Sequence, residues 1–585
     1  MEQYTKVIMG VPGFFAWLMK RYKKSRFIIS SLPSRPSGFY VDANCLFHPQ
    51  CFKLLEAISD EMDTEELEML MIKRIIKFLI YIENFVNPTK FMYISVDGVA
   101  PLAKINQQRK RRYKSVDDNQ MKLTIKSKYG IKTINHWNNT VISPGTKFME
   151  RLHRELLSFY QGRKKKGFKY IYSSYHTAGE GEHKILQHMK TNKMDGNMVI
   201  YGLDADLIFL ALASGVDNIY LLREETHFGL KKDIEKVELY DPVDDVGEEL
   251  VYVAIDTVKD AYNEELYDLI THMTGYKADT DINFLPDFIF SCFLLGNDFL
   301  PHFPSIDIKK EGLDYVLEAY IKVFYALKQT IITFNKGKMH INEGFVAYML
   351  YELGTKEQEY FSVVLPEYER MSYRKKCYQK DPYEKELWDI ENMKHVDVKD
   401  TIRLGSGSSD GWKYRYYSHY YNVEEHYDEF VETMIKQYLE GIMWVTKYYF
   451  EKCTDWQYQY VYNHAPFVSD VASYLDKHMD ALNSINFPTR SNIPIMSQLL
   501  SVLPPACSDM LASSYQKLVL SDDSPVIDMF PTSVKLDMLN KDLYWQCIPL
   551  VPPLDVDRIV EATAELELTK SEQKRNIEVD DYILG

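Results

Sequence analysis

Three short apolar runs, each closing on a carboxylate, constrain the fold of this chain more than any other feature. "GFYVDAN" (38–44) leads into Asp42, "KFMYISVDG" (90–98) into Asp97, and "NMVIYGLDAD" (197–206) into Asp204 and Asp206. Short apolar runs rich in β-branched and aromatic residues read as strands buried on both faces, and such strands belong to parallel sheets covered by helices. Between the first two, "TEELEMLMIKRIIKFLIYIENFVNP" (64–88) carries apolar residues at helical spacing and stops at Pro88. The alternation predicts an α/β fold with a mainly parallel sheet flanked by helices. In open sheets of this kind the C-terminal strand ends form the ligand crevice, so acids far apart in sequence are expected to converge there.

Further carboxylates sit in turns. Glu180 and Glu182 lie in "AGEGEHKILQHM", where glycines permit a tight turn and the glutamates open a helix, and Asp298 follows the apolar helix 288–296 in "LLGNDFLPH". Taken singly, each of these seven acids, Asp42, Asp97, Glu180, Glu182, Asp204, Asp206 and Asp298, reads equally well as a helix cap or a turn residue. Together they do not, because three nearly charge-free strands all end in acid. At about 5 Å and an effective dielectric near 20, each like-charged pair costs roughly 3 kcal/mol, so the cluster needs cations. All-oxygen sites select hard ions, which points to Mg²⁺ or Mn²⁺ held by these residues at a catalytic centre.

The net charge of −15 and pI near 5.6 exclude a wholesale basic coat, so an anionic substrate would have to meet a local basic patch. "DGVAPLAKINQQRKRRYK" (97–114) supplies one directly after an acidic strand end. As a helix it sets Lys104, Gln108, Arg111 and Arg112 at i, i+4, i+7 and i+8, on one face. Three cations and an amide donor match a terminal phosphate. A solvated basic face is the commoner reading of a charge run, and the acidic neighbour reverses that preference. "GRKKKGFK" (162–169) has no such neighbour and reads as a surface loop. The seven cysteines form no C-x-x-C pair, no long apolar run is present, and the N-terminus lacks a signal-peptide core. A soluble, intracellular, cytoplasmic protein is the expectation.

After "LPDFIFSCFLLGNDFLPHFPSID" (285–307) the pattern turns helical and Tyr-rich, a charged stretch from about 350 ends in "GSGSSDG" (405–411), and a second ordered block begins at Trp412. The closing "EVDDYILG" reads as a solvated tail. With these stretches in view, "MGVPGFFAWLMKRY" (9–22), "DANCLFH" (42–48), "VDGVAPLAKINQQRKRR" (96–112), "GEGEHKI" (179–185), "YGLDADLI" (201–208) and "LLGNDFLPHFPSI" (294–306) closely resemble, in order, motifs of the Xrn-type 5'-to-3' exoribonucleases. The likeness continues through "EGIMWVTKYYF" (440–450), "HAPFVSD" (464–470), "LLSVLPP" (499–505), "DSPVIDMFP" (523–531) and "LDVDRIVEATAELELTKSEQKRN" (554–576). It implies a nuclease core without a long C-terminal extension: a nuclease region over 1–335, a connector or insertion over 336–411, a second, largely helical conserved region over 412–577 packed against the first, and a tail over 578–585.

The resemblance further implies a PIN or flap-endonuclease-like fold, two divalent ions held by the seven acids, and a monomeric core. The implied activity is processive removal of nucleoside 5'-monophosphates from single-stranded RNA with a 5'-monophosphate. Lys104, Gln108, Arg111 and Arg112 match the family's 5'-phosphate pocket, and His48 and Trp456 match the pair that sandwiches the leading bases. Two departures stand out: "MEQYTKVI" precedes the family's starting motif at Met9, and Tyr458 occupies a position where a second tryptophan is common. Two other readings compete, a structure-specific flap DNA nuclease on the same fold and a catalytically silent RNA-binding scaffold. Retention of all seven acids counts against the scaffold.

Overall fold

Alternation of buried runs with amphipathic helices gives one eight-stranded sheet: β1 (Ile28–Ile29), β2 (Gly38–Asp42), β3 (Phe91–Ser95), β4 (Lys169–Ser173), β5 (Met198–Tyr201), β6 (Ile219–Glu224), β7 (Leu250–Ala254) and β8 (Tyr582–Leu584). The computed structural model describes residues 18, 21, 26–58, 61–131, 137–192, 195–203, 206–224, 241–478 and 480–584. Every residue of β2, β3 and β5 is buried, as strands covered on both faces must be. The strand order is β1-β7-β6-β5-β2-β3-β4-β8. The central five, β6 to β4, are parallel, and both flanks are antiparallel. Connections from β2 run towards β3 and β4, whereas β5 and β6 lie on its other side. The order therefore reverses beside β2, and the crevice at the C-terminal ends of β2, β3 and β5 is the expected ligand position.

Helices between these strands are α1 (Asn44–Ala57), α2 (Thr64–Val86), α3 (Leu102–Lys128), α4 (Lys147–Gly162), α5 (Gly181–Thr191) and α6 (Asp206–Ala213). In α2 the Asp63 carboxylate accepts from the Glu65 and Glu66 amides at the start, and Asn87, left-handed at φ 50°, ends it. Its apolar face buries Leu67, Met71, Ile75, Phe78, Leu79 and Ile82, each contributing about 1.5–3 kcal/mol of transfer free energy. The same core takes in Leu499, Leu500 and Val502 of α7 (Ile495–Val502). This sheet unit comprises the described residues of Phe15–Asp260, Ser491–Ser533 and Pro552–Gly585.

A second compact unit holds Ala261–Arg490 and Val534–Val551 and is largely helical. Its aromatic core includes Trp412, which packs edge-on against Phe361 at 5.1 Å and Phe467 at 4.8 Å between ring centroids. Residues 336–411, expected as a connector or insertion, carry helices Glu343–Gly354, Leu365–Tyr373 and Pro382–Glu391.

One expectation is corrected. "EVDDYILG" is not a solvated tail, because Tyr582, Ile583 and Leu584 pair antiparallel with Tyr172, Ile171 and Tyr170 and close that edge of the sheet. The signal was a strict alternation too short to register: Tyr582 and Leu584 are half-buried, while Ile583 between them faces solvent. All seven cysteines are free thiols, and no helix among the described residues is long and apolar enough to cross a membrane.

Candidate active site

Asp42 is the last residue of β2 and is 5% exposed; Asp97 follows β3 by two residues. Their carboxylates meet at Gly181, the first residue of α5. A Cβ built there would lie 2.8 Å from Asp42 Oδ1 and 3.3 Å from Asp97 Oδ1, so any larger residue would push on both carboxylates. The Gly181 amide donates to Asp97 Oδ1 at 2.7 Å, and Ser95 Oγ donates to the Gly181 carbonyl at 2.8 Å, tying the start of α5 to the end of β3. Gly98 is a second close approach: a Cβ there would fall 1.9 Å from the Thr177 carbonyl oxygen.

Glu180 and Glu182 flank this point, Glu180 at the N-cap position of α5 and Glu182 in its first turn, both buried. Asp206 opens α6 and is buried too. Five of the seven predicted acids thus stand at C-terminal strand ends or helix starts of the sheet unit. Asp204 lies outside the described residues, as do residues 1–8 and most of the 9–22 motif. Asp298 belongs to the helical unit, half-buried in a turn where Asn297 Oδ1 accepts from the Phe299 and Leu300 amides at 2.9 and 3.0 Å. Among the described residues no group of three or more His, Cys, Asp or Glu side chains forms a metal-holding cluster. The donor chemistry nonetheless suits a hard cation: the carboxylates of Asp42 and Asp97 both reach Gly181, with Glu180 and Glu182 on either side of it in sequence.

The basic helix forms as expected. Lys104, 3% exposed, places its Nζ 2.5 Å from Glu180 Oε2, an ion pair that joins this helix face to the acidic cluster. Gln108 Oε1 is buried and has no hydrogen-bond partner among the described residues. Burial and the neighbouring Arg111 work against the Arg112 charge, which Asp97 supports. His48, on α1, is pushed down to about 3 by burial and by Arg111 and Arg112, so it is a neutral ring beside two guanidinium groups. Trp456 lies in the helical unit and is half-buried; its amide donates to the Arg490 carbonyl at 3.2 Å, and Arg490 grips Asp455 with two hydrogen bonds of 2.9 and 2.6 Å. Tyr458 is a core residue instead, stacked on Trp444 with ring centroids 5.4 Å apart. Lys164, Lys165 and Lys166 are exposed ahead of β4, at the sheet end opposite the acids, as a surface loop should be.

Three contributors escape sequence reasoning. Lys184 lies buried behind the acids, its Nζ donating to Val96 O at 2.7 Å, Ser174 O at 2.9 Å and Ser173 Oγ at 3.1 Å; burial pushes it down to about 8 against the pull of Asp581, Asp97 and Asp42. Gln498 of α7 accepts from the Ala100 amide at 2.7 Å, bracing the turn after Asp97. Arg109, on the other side of α3, donates to the Ser501 carbonyl at 2.9 Å and to the Met529 carbonyl, and lies 5.0 Å from the Phe530 ring. A cation with an apolar neighbour gives no sign in sequence of which distant carbonyls it will meet.

The family described as XRN 5'-3' exonuclease N-terminus matches residues 9–225, and that described as Xrn1 helical domain matches 278–387 and 364–584. The chain is 28% identical to "5'-3' exoribonuclease 1" of Homo sapiens over 613 residues, which cover 97% of this chain and 35% of that protein. Identity to "5'-3' exoribonuclease 2 homolog" of Drosophila melanogaster is 27%, covering 98% of this chain and 73% of that one. Against "5'-3' exoribonuclease 1" of Schizosaccharomyces pombe it is 25%, covering 97% and 49%. The chain thus spans about a third of the human relative's length and about half of the fission-yeast one's. With both families matched over most of its residues, the chain belongs to the Xrn-type 5'-3' exoribonuclease family.

Proposed function

We propose that this chain is a 5'-to-3' exoribonuclease that hydrolyses single-stranded RNA from a 5'-monophosphate, one nucleotide at a time, without reading sequence. The observation that supports the reading is the junction of neighbouring acids with a basic helix: one oxygen each of Asp42 and Asp97 lies against Gly181, and Lys104 pairs with Glu180 in the same turn. Acids alone fit a metal-dependent hydrolase of many kinds. A cationic face joined to them adds a preference for a charged end.

In this reading Asp42, Asp97, Glu180, Glu182 and Asp206 would hold Mg²⁺ or Mn²⁺, two ions in all, with Asp204 and Asp298 added on the family resemblance alone. Such ions, when bound, supply charge stabilisation and a nucleophilic water near neutral pH. The rest falls to the chain. Lys104, Gln108, Arg111 and Arg112 bind the terminal phosphate and fix the reach to the first phosphodiester, which sets a one-nucleotide step. A cap adds bulk and a triphosphate adds charge beyond what that face accommodates. His48 and Trp456 are the proposed stacking rings for the leading bases, both on the family resemblance; stacking tolerates any sequence because every base has a π-face.

The test is incubation of the purified protein with one RNA bearing a 5'-monophosphate or a 5'-triphosphate, in Mg²⁺ or in EDTA. Decay of the monophosphate form alone, in Mg²⁺ alone, supports the reading. Equal decay of both forms would remove end selection, and preferential cleavage of flapped duplex DNA would replace the reading with the flap-nuclease alternative.

A further inference from the structure

The loop that carries Glu180 and Glu182 is held on two sides. On one side the exit of β3 grips it: the Gly98 amide donates to the Gly179 carbonyl at 2.9 Å, and the Gly179 amide to the Val99 carbonyl at 2.7 Å. On the other side runs the segment 577–584. Because β8 is antiparallel to β4, the residues before β8 travel beside those after β4, past the strand end and along the loop. Their contacts continue without a break: the Val579 amide donates to the His176 carbonyl at 3.2 Å, Thr177 Oγ1 donates to the Val579 carbonyl at 2.9 Å, and His176 Nδ1 lies 2.6 Å from the Ile577 carbonyl.

The far side of that histidine faces Glu150 Oε2 at 3.5 Å, which also accepts from Tyr175 Oη at 2.7 Å, so the loop is fixed to α4 as well. Asp581 carries the hold across the sheet by accepting from Tyr93 Oη of β3 at 2.9 Å. None of these contacts among the described residues is made by Lys104, Gln108, Arg111 or Arg112. The last hydrogen bond of the segment ends at Thr177, three residues before Glu180.

We propose that the segment 577–584 is a positioning strap for the acid-bearing loop, with Thr177, Val579 and Asp581 setting where Glu180 and Glu182 stand. These are positioning residues, not catalytic ones. The proposal rests on the nuclease reading for its effect on turnover, but not for its effect on the loop. A loop fixed by backbone and hydroxyl contacts limits how far its two carboxylates can shift, and a misplacement near 1 Å costs about a hundred-fold in rate.

The test uses the full chain and four variants: Thr177→Val, Thr177→Ser, Val579→Pro and Tyr93→Phe. Amide hydrogen exchange over residues 175–183 is measured on each, alongside kcat and KM on a 5'-monophosphorylated RNA well below the melting temperature. Thr177→Val and Val579→Pro are expected to speed exchange in the loop and to lower kcat by about ten- to a hundred-fold with KM unchanged, and Thr177→Ser, which keeps the hydroxyl, to restore both. Tyr93→Phe should give a smaller change in the same direction. Unchanged exchange in both Thr177→Val and Val579→Pro overturns the strap, and so does faster exchange with wild-type kcat. A wild-type protein that leaves RNA intact overturns the nuclease reading instead, and the exchange data then decide the strap alone.

Discussion

Carboxylates stand in closely packed surroundings in both units of this molecule, and they are held in different ways. In the helical unit Asp287 accepts hydrogen bonds from Tyr320 Oη at 2.7 Å and from the Ile331 and Ile332 amides at 2.7 and 2.8 Å. Glu357 accepts from the Val468 amide at 2.8 Å, the Ser469 amide at 3.3 Å and the Ser469 hydroxyl. Each is enclosed by fixed donors from its own unit, and each pins a loop. In the sheet unit Asp42 and Asp97 point their oxygens at a common position instead, with Glu180 beside them paired to a lysine. In the proposed reading this difference separates structural from functional acid. Asp287 and Glu357 meet donors that hold loops in place, whereas Asp42 and Asp97, besides accepting from Cys45 Sγ at 2.9 Å and from the Gly181 amide at 2.7 Å, stand close to one another, a crowding that a cation would relieve in the proposed reading.

The largest effect expected from this contrast is on turnover. Asp42→Ala or Asp97→Ala should lower kcat by about 10³-fold or more, while RNA binding and the melting temperature stay near wild type. A steady-state assay paired with thermal melting checks this. Wild-type turnover in the double variant would end the assignment of these two residues to the catalytic centre.

Asp287→Ala should do the reverse. It leaves two buried amides and a phenol unsatisfied, so unfolding free energy should fall by roughly 2–4 kcal/mol in denaturant titrations, with kcat per folded molecule unchanged. A loss of kcat without a loss of stability would place Asp287 among the functional acids and break the contrast.

A smaller effect follows from Glu357, which burial pushes up to about 7 despite the Ser469 hydroxyl and the nearby Lys413. Between the ordinary glutamate range and pH 7 the folded state binds the proton that the unfolded state has released. Glu357 therefore stabilises the fold least at high pH, its contribution declining as pH rises from about 4.5 to about 7. Glu357→Gln should flatten that part of the melting-temperature profile. An unchanged slope would show that this carboxylate stays ionised.

His48 should give the smallest effect. Held down to about 3, it stays neutral while the unfolded chain takes up a proton below the ordinary histidine pKa, so its contribution to stability is complete above about pH 6.5 and is lost as pH falls towards 3. Imidazole NMR shifts that remain those of the neutral ring at pH 4.5 agree with this; a titration midpoint near 6 would mean that neither burial nor the Arg111 and Arg112 charges hold the ring neutral.

Much of the sheet unit was legible, because strands buried on both faces leave little freedom in composition, and "GFYVD", "FMYIS" and "MVIY" admit few other readings. The helical face of α3 was legible by spacing alone. The pairing of Lys104 with Glu180 was not: a helical wheel sets Lys104 beside Gln108, Arg111 and Arg112, and only the tertiary fold brings Glu180 to its Nζ. Strand β8 was missed because three residues give too little alternation to outweigh the acids before them. Asp287 shows the converse limit, since it stands in the same apolar stretch as Asp298 and nothing local separates a carboxylate that will be saturated from one that will not.

The central claim, that a basic face selects the end which the acids then cut, is tested most directly by the ratio of rates on 5'-monophosphate and 5'-hydroxyl forms of one RNA, in the wild type and in Arg111→Ala. Each hydrogen bond to a charged group is worth about 1.5–3 kcal/mol, so the ratio should fall by roughly ten- to a hundred-fold in the variant, with mononucleotides still the only product. A ratio that Arg111→Ala leaves unchanged would contradict the account and reduce the α3 face to a solvated basic surface.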